Sequence, residues 1–348
     1  MKNKIPVALL LNDIHVSKDN ISEFQANWDE ALQICEKYEI ADIVIGGDLW
    51  QSRSGQTLNT LMAVRQAIIK ATSSGKVITI AEGNHCKVDQ ESLMGYSHLF
   101  SEYPNVDVVD IYSAIEISDN VILYIMSYFP ENGSFEEKLA DIEANDFDKS
   151  CYNILYIHEG INGALSTSND KELSPNIFKK WDSVLVGHYH NRCKIKNSNI
   201  EYIGSSRQHN FGEDEEKGYT IVYNDGSIEF IKNQVNTRYK VLDLTLKQVN
   251  ANLLNQLDEI KADGRYKVKT RVNCTSAEAN SVNKQELLQA GATKVEIVAI
   301  ETEITAIANH ALDKKYDKHG IKQEYTNYCI EKGISNVEMG LEYLDKIN

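Results

Sequence analysis

The chain has 348 residues, 42% hydrophobic and 25% charged, the balance of a soluble globular protein with room for about two domains. Its 36 Lys and Arg against 51 Asp and Glu leave a formal charge of -15, which excludes strong unaided attraction to nucleic acid and leaves any DNA contact to a local patch or a partner. Six cysteines scattered without a CxxC pair (Cys35, Cys86, Cys151, Cys193, Cys274 and Cys329) argue against a zinc ribbon or a disulfide framework, and four prolines argue against long linkers.

The first apolar run, Val7 to Leu11, is too short to span a bilayer and passes at once into Asn12 and Asp13 rather than a cleavage site, so a cytoplasmic protein is expected. A helix near Ile21 to Tyr38, a strand at Ile43 to Ile45, a helix over Leu58 to Thr72 and a strand at Val77 to Ile80 follow. This alternation predicts an α/β sheet with parallel strands. Each strand runs into a polar cluster: Asn12-Asp13-Ile14-His15, Gly46-Gly47-Asp48 and Gly83-Asn84-His85. The clusters should therefore line the carboxyl edge of the sheet, where open α/β sheets bind ligands. Later strands read as Val121 to Met126, Ile154 to Ile157, Ser183 to Val186, Ile200 to Ile203, Tyr219 to Tyr223 and Ile228 to Ile231, the last two joined as a hairpin by Asn224-Asp225-Gly226. After Asn236 the pattern restarts as strand (Tyr239 to Leu246), helix (Val249 to Lys261), strand (Tyr266 to Val272), helix (Ala277 to Leu288) and strand (Lys294 to Ile300). That is a second, small α/β domain. From about Thr302 the sequence is polar and mostly helical, with Gly320, Gly333 and Gly340 as breaks.

Asp13 and His15 share one side of an extended segment, as do His188 and His190, because side chains alternate with period two. Taken singly, such a pair is equally a polar loop, Asp48 a turn or cap residue, Asn84 a turn residue and His158 a hydrogen-bonded core histidine. Together, at the ends of successive strands, they supply two aspartates, an asparagine oxygen and several imidazoles. That mixed O/N set suits Mn²⁺, Fe²⁺ or Zn²⁺ rather than an all-oxygen Mg²⁺ site. Two ions are the natural count, since a bridging carboxylate can hold them about 3.5 to 4 Å apart for in-line phosphoryl displacement.

The ordered set Asp13-Ile14-His15, Gly47-Asp48, Gly83-Asn84-His85 and Gly187-His188-Tyr189-His190 resembles the D-x-H, G-D, G-N-H and G-H-x-H signature of the calcineurin-like metallophosphoesterase superfamily. His158, in Ile157-His158-Glu159-Gly160, stands where that family has a further metal-binding histidine. Within the superfamily the chain is most similar to SbcD-type DNA break-repair nuclease subunits and their phage recombination relatives. The stretches Tyr202-Ile203-Gly204-Ser205-Ser206 and Lys217-Gly218-Tyr219 carry the likeness onward. It extends over residues 1–235, weakens to about 300 and is thin beyond.

The resemblance implies a metallophosphoesterase β-sandwich flanked by helices over 1–235, a small α/β DNA-capping domain over 236–301 and a helical tail over 302–348 that binds an ATPase partner. It implies two divalent ions, Mn²⁺ above all, with Fe²⁺ or Zn²⁺ as alternatives. One would lie among Asp13, His15, Asp48 and His190, the other among Asp48, Asn84, His158 and His188, with Asp48 bridging. His85 would be the catalytic histidine, serving the leaving oxygen. Implied partners are DNA and a coiled-coil ATPase of the SbcC type, with a homodimer compatible, no membrane, and the host cytoplasm as location for a phage-encoded chain.

Three positions depart from the family pattern: Cys86 replaces an acidic residue after G-N-H, Gln51 replaces a histidine, and Val16-Ser17 replaces Leu-Gly. A carboxylate restored at position 86 is expected to raise both the activity and the pKa of His85. Arg265, Lys267, Lys269 and Arg271 fall on one face of the strand at Tyr266 to Val272 and offer a phosphate-gripping stripe, as do Arg192, Lys194 and Lys196. Either stripe is equally a solvated strand face. Two further functions stay open on the sequence: a small-molecule phosphodiesterase or phosphatase of the same superfamily, and a non-catalytic scaffold.

Overall fold

The computed structural model describes residues 4–165, 171–299, 318–334 and 337–346. Its first compact unit comprises Met1–Lys240 with Ile260–Lys267, and its second Val241–Glu259 with Val268–Asn348.

In the first unit, alternation along each strand sends side chains into two different cores. On β1 (Pro6–Leu11), Leu9 and Leu11 join one apolar cluster while Ala8 and Leu10 join another. On β2 (Asp42–Gly46), Ile43 and Ile45 face the first cluster and Val44 the second. Both faces are buried, which is why these strands read as continuous apolar runs. With β3 (Val77–Ala81), β4 (Val106–Val109), β11 (Gly218–Tyr223) and β12 (Ile228–Lys232) they form a six-stranded sheet in the order β12-β11-β1-β2-β3-β4. β1 to β4 pair in parallel, and β11 runs antiparallel to β1.

A second six-stranded sheet has the order β5-β6-β7-β8-β10-β9. Its strands are β5 (Tyr112–Ser118), β6 (Val121–Met126), β7 (Tyr152–His158), β8 (Ser183–Gly187), β9 (Cys193–Lys194) and β10 (Ile200–Tyr202). The cluster of Leu10, Val44, Leu123, Ile154, Tyr156 and Leu185 mixes residues of both sheets and is the seam between them. Helices close the outer faces. Helix α1 (Ile21–Lys37) buries Phe24, Trp28, Ala31 and Cys35, spaced three or four apart, and α2 (Leu58–Ser73) buries Val64, Ala67, Ile68 and Ala71. Trp28 Nε1 ties the two by donating to the Ala67 carbonyl at 2.9 Å. On the other face α3 (Phe135–Asn145) inserts Phe135, Leu139 and Ile142 against Leu155 and Ile157. The expected β-sandwich flanked by helices is the architecture observed. Sequence reading passes over β4, β5, the two-residue β9 and α3: the strands are short or largely part-exposed, and α3 carries only three apolar anchors at helical spacing among charged residues.

In the second unit, Leu253 and Leu257 of α4 (Ala251–Asp263), Val272 and Leu287 are buried. A three-stranded sheet runs in the order β13 (Arg238–Thr245), β14 (Tyr266–Cys274) and β15 (Lys294–Ala299), with β14 and β15 parallel. The helix expected over 277–288 is instead a 3-10 turn, Ala279–Ser281, followed by α5 (Lys284–Gln289). Asn283 breaks it, its side chain accepting from Glu286 N at 3.2 Å as a new N-cap. Residue 300 and the start of the tail lie outside the described residues; beyond them come α6 (Lys318–Lys332) and α7 (Val337–Lys346). Gly333 ends α6 with φ +66, as expected, whereas Gly320 and Gly340 sit inside helices. At Gly340 a methyl group would strike Tyr325, so glycine there permits close helix packing rather than a break.

The loop that carries His85 is braced by Lys87, whose buried ammonium donates to the Tyr128 carbonyl at 2.6 Å and lies 3.9 Å from the centre of the Phe129 ring. Burial pulls its pKa down to about 8 against the opposing pull of Glu82 and Glu159. The unfolded chain therefore binds the extra proton between that value and the ordinary lysine value. Stability is expected to rise over this window, by on the order of 3 kcal/mol for the full shift. Urea unfolding followed from about one pH unit below the folded value of about 8 up to the ordinary lysine value checks this. The slope should vanish in Lys87→Met, and a slope shared by both proteins would assign it to another group.

Candidate metal centre

The two sheets end side by side, and the polar clusters emerge from those ends. Past β1 and β2 the backbones stay bonded: Asp13 N donates to Gly47 O at 3.3 Å, His15 N to Asp48 O at 2.9 Å and Val16 N to Leu49 O at 2.8 Å. This pairing holds Asp13, His15 and Asp48 at φ 47, 50 and 46, and His188 beyond β8 stands at φ 90. Non-glycine residues in that region cost about 1–3 kcal/mol each and persist where the surroundings over-determine them. Gly47, at φ +119, lies directly against the His158 ring. Gly47→Ala is expected to combine backbone strain with a collision against His158, lowering stability by about 2 kcal/mol or more. Chemical denaturation checks it, and wild-type stability would show that the turn can shift.

Five of the seven expected ligands converge. Asp13 Oδ1 lies 3.8 Å from His15 Nε2, 3.8 Å from His158 Nε2 and 3.6 Å from His190 Nε2. Asp48 Oδ2 lies 3.6 Å from His15 Nε2 and 3.3 Å from His158 Nε2. Asp13-His15-His190 and Asp13-Asp48-His158 each bring one ligand atom per residue within 4.8 Å of one another. The chemistry of this donor set fits a divalent cation. Asp13 Oδ1 is buried without a hydrogen-bond partner among the described residues, and His15 Nε2 and His190 Nε2 face each other at 3.2 Å. His190 Nδ1 meets Glu213 Oε1 at 2.8 Å, so the proton it donates there leaves its Nε2 lone pair toward the cluster. Burial lowers the His15 pKa to about 4 despite Asp48 and Asp13, which keeps a neutral, ligating imidazole. His158 is penalised by burial too, yet Asp48 and Asp13 raise it to about 9; Asp48, against its own burial, is held well below the usual carboxylate range by His158 first and then His15 and His85.

The other two expected ligands stand at the margin. The Asn84 carboxamide lies between Asp48 Oδ2, 3.1 Å away, and the Arg53 guanidinium. With its oxygen toward Arg53 both contacts are hydrogen bonds; with its oxygen toward Asp48, two acceptors face each other as they do around a shared cation. His188 packs edge-on to His158 with ring centres 5.5 Å apart, and its backbone N donates to Asp13 Oδ2 at 3.2 Å. It belongs to neither Asp/His group.

His85 forms a third group with His15 and Asp48. Its backbone N donates to Asp48 Oδ1 at 2.8 Å, and its Nδ1 donates to the Gln51 carbonyl at 2.8 Å, which leaves Nε2 for chemistry. A main-chain carbonyl thus orients the imidazole without a carboxylate at position 86. Cys86 is wholly buried in the apolar cluster under α1 and α2, with burial pushing its thiol pKa far up. The expectation that Cys86→Asp raises activity gives way: that carboxylate would be buried beside Glu82 and Asp48, and unfolding is the foreseeable result.

The sequence gives no sign of His209 or Glu213 as parts of this centre, and it places Asn12 in the polar cluster after the first strand without a role. Asn12 Nδ2 donates to Asp13 Oδ2 at 2.6 Å, and His209 Nε2 donates to the Asp13 carbonyl at 2.8 Å. Adjacency could have flagged Asn12, but His209 lies 196 positions from Asp13 and no spacing rule joins them.

The basic stripe on β14 does alternate with buried Val268, Thr270 and Val272, but it is occupied by acids. Lys269 pairs with Glu296, Arg271 Nη1 lies 3.2 Å from Asp243 Oδ1, and Arg265 Nε lies 3.1 Å from Asp263 Oδ1. Lys267 Nζ sits 5.2 Å from the Tyr239 ring centre. In the other stripe Arg192 is committed internally, donating to Ile203 O at 2.6 Å and pairing with Glu201 at 3.0 Å.

Fold and site together define a mixed α/β protein with two stacked sheets whose adjoining ends carry an Asp/His centre suited to divalent metal ions. No family model matches the chain. It is similar to a protein named "Putative phosphoesterase 244L" from Invertebrate iridescent virus 6, with 29% identity over 238 residues, covering 63% of this chain and 77% of that protein. A crystal structure of Pseudomonas putida nuclease MPE overlaps it with a TM-score of 0.27 and 15% identity, covering 47% of this chain and 66% of that one. An overlap of that extent does not establish a shared topology. No helix among the described residues is long and apolar enough to cross a membrane.

Proposed function

We propose that the chain is a phosphodiesterase dependent on two divalent ions, Mn²⁺ above all, that hydrolyses DNA as the SbcD-type nuclease subunit of a break-processing complex with a coiled-coil ATPase partner. The observation that carries the hydrolytic part is Asp48 Oδ2, which lies within 3.6 Å of imidazole nitrogens on either side, from His15 and from His158. Two imidazoles on one carboxylate oxygen support reading Asp48 as the bridging ligand. Asp13, His15 and His190 would hold one ion, and His158, with Asn84 and His188 closing in, the other. Bound there, the ions would supply Lewis acidity toward a phosphoryl group and its attacking water. His85, its Nδ1–H held by the Gln51 carbonyl, would act as an imidazolium and give its Nε2 proton to the leaving oxygen as the P–O bond to the attacking water forms and the old P–O bond breaks. The phosphoesterase relative supports the reaction class; the choice of DNA rests on the motif resemblance.

The acids facing the β14 stripe weaken its case as the DNA grip, since phosphates must displace Glu296 and Asp243 before Lys269 and Arg271 are free. The test is purified protein with Mn²⁺, offered linear DNA and a small phosphodiester. Nucleotide release from DNA ends supports the nuclease reading. Hydrolysis of the small ester alone selects a small-molecule phosphodiesterase. Inactivity on both, with and without the ATPase and with the ions bound, would refute hydrolysis and leave a scaffold.

A further inference from the structure

Asp13 leaves a strand of the first sheet and His190 follows a strand of the second, and the direct tie between those ends, from His188 N to Asp13 Oδ2 at 3.2 Å, stops two residues short of His190. A third segment reaches His190 itself. His209 Nε2 donates to the Asp13 carbonyl at 2.8 Å, and His209 N donates to Glu213 Oε2 at 3.0 Å. The other oxygen of that carboxylate, Oε1, accepts from His190 Nδ1 at 2.8 Å. The His209 ring packs at 5.1 Å from His15 and 4.8 Å from His190, centre to centre. An unbroken bonded path thus runs from the Asp13 backbone through His209 and Glu213 to His190. It fastens at the point where Asp13 is held at φ 47, a conformation that needs outside support.

We infer that His209 is a positioning residue that locks Asp13 against His190 and so builds chiefly one half of the metal centre, the Asp13-His15-His190 half; the other half shares Asp13 but takes its remaining donors from Asp48 and His158, to which His209 makes no bond. The inference rests on the two-ion reading above. Its physical content is an N–H donor at one place: a carbonyl can only accept, so Nε2 must carry the hydrogen, and the side-chain hydrogen bond of His209 reaches the expected ions through Asp13.

The test compares wild type with His209→Phe, which keeps a ring of similar shape but deletes the donor, and His209→Gln, whose amide can restore it. Mn²⁺ binding is followed by titration calorimetry and by the electron paramagnetic resonance of the bound ions, beside thermal unfolding and the kcat and KM for a small phosphodiester. In His209→Phe one Mn²⁺ should bind about 10- to 100-fold more weakly, the typical cost of losing a partner that orients a ligand, while the other, which shares only Asp13 with that half, loses clearly less. The exchange-coupled signal of an ion pair should give way to that of an isolated ion, kcat should fall with little change in KM, and His209→Gln should recover most of both. Two ions bound at wild-type affinity in His209→Phe would overturn the inference while sparing the two-ion reading. So would equal losses in the Phe and Gln variants, which would make the ring a packing element. If wild type itself binds no pair of Mn²⁺ ions, the two-ion reading fails and this inference falls with it.

Discussion

Asp48→Ala is expected to lose both its divalent ions and its turnover. One carboxylate serves three purposes: Oδ2 lies between His15 and His158, Oδ1 accepts the His85 backbone N–H at 2.8 Å, and Gly83 packs against the same group. Deleting it withdraws a ligand from both ions and leaves their mutual repulsion unscreened. The metal-free protein should suffer as well. Asp48 and His158 form a buried pair, and removing one partner of such a pair costs about 3–5 kcal/mol. Metal content by atomic emission, turnover on a small phosphodiester and unfolding in chelator measure the three effects on one sample. Two ions per chain and a near-normal rate would demote Asp48 to a turn residue and end the bridging scheme.

His85→Ala separates chemistry from binding. Turnover should fall by roughly 10²-fold or more, the scale of a lost general acid or base, while both ions stay bound. The group formed by His85, His15 and Asp48 makes the alternative concrete, since one ring nitrogen of His85 comes within ligand distance of that pair. Loss of an ion in the variant would make His85 a ligand. If the metals stay and the rate is unchanged, the proton reaches the leaving oxygen by another route, and the Nδ1 contact to Gln51 merely anchors a loop.

Sequence alone determined where the centre's residues stand. Strands buried on both faces are apolar at nearly every position, Thr79 and Asn153 being exceptions, so the polar residues that follow Leu11, Gly46, Ala81, Ile157 and Gly187 mark strand ends. Glycines at 46, 47 and 83 mark the close approaches at those ends. Tertiary structure decided which of these residues meet, and with what. His15 and His190 lie 175 positions apart, and His209 stands 196 positions from the carbonyl it holds, so no periodicity connects them. The same holds for position 86, where sequence shows only a missing carboxylate. Folding buries that side chain in the core and hands its orienting task to the Gln51 carbonyl. It holds too for the β14 stripe, whose spacing promised free positive charge until Glu296 and Asp243 were brought alongside. Local pattern reports how a residue's own backbone is buried, because that constraint repeats every two or four residues. A partner's identity depends on how distant segments pack, and a single sequence carries no local record of that.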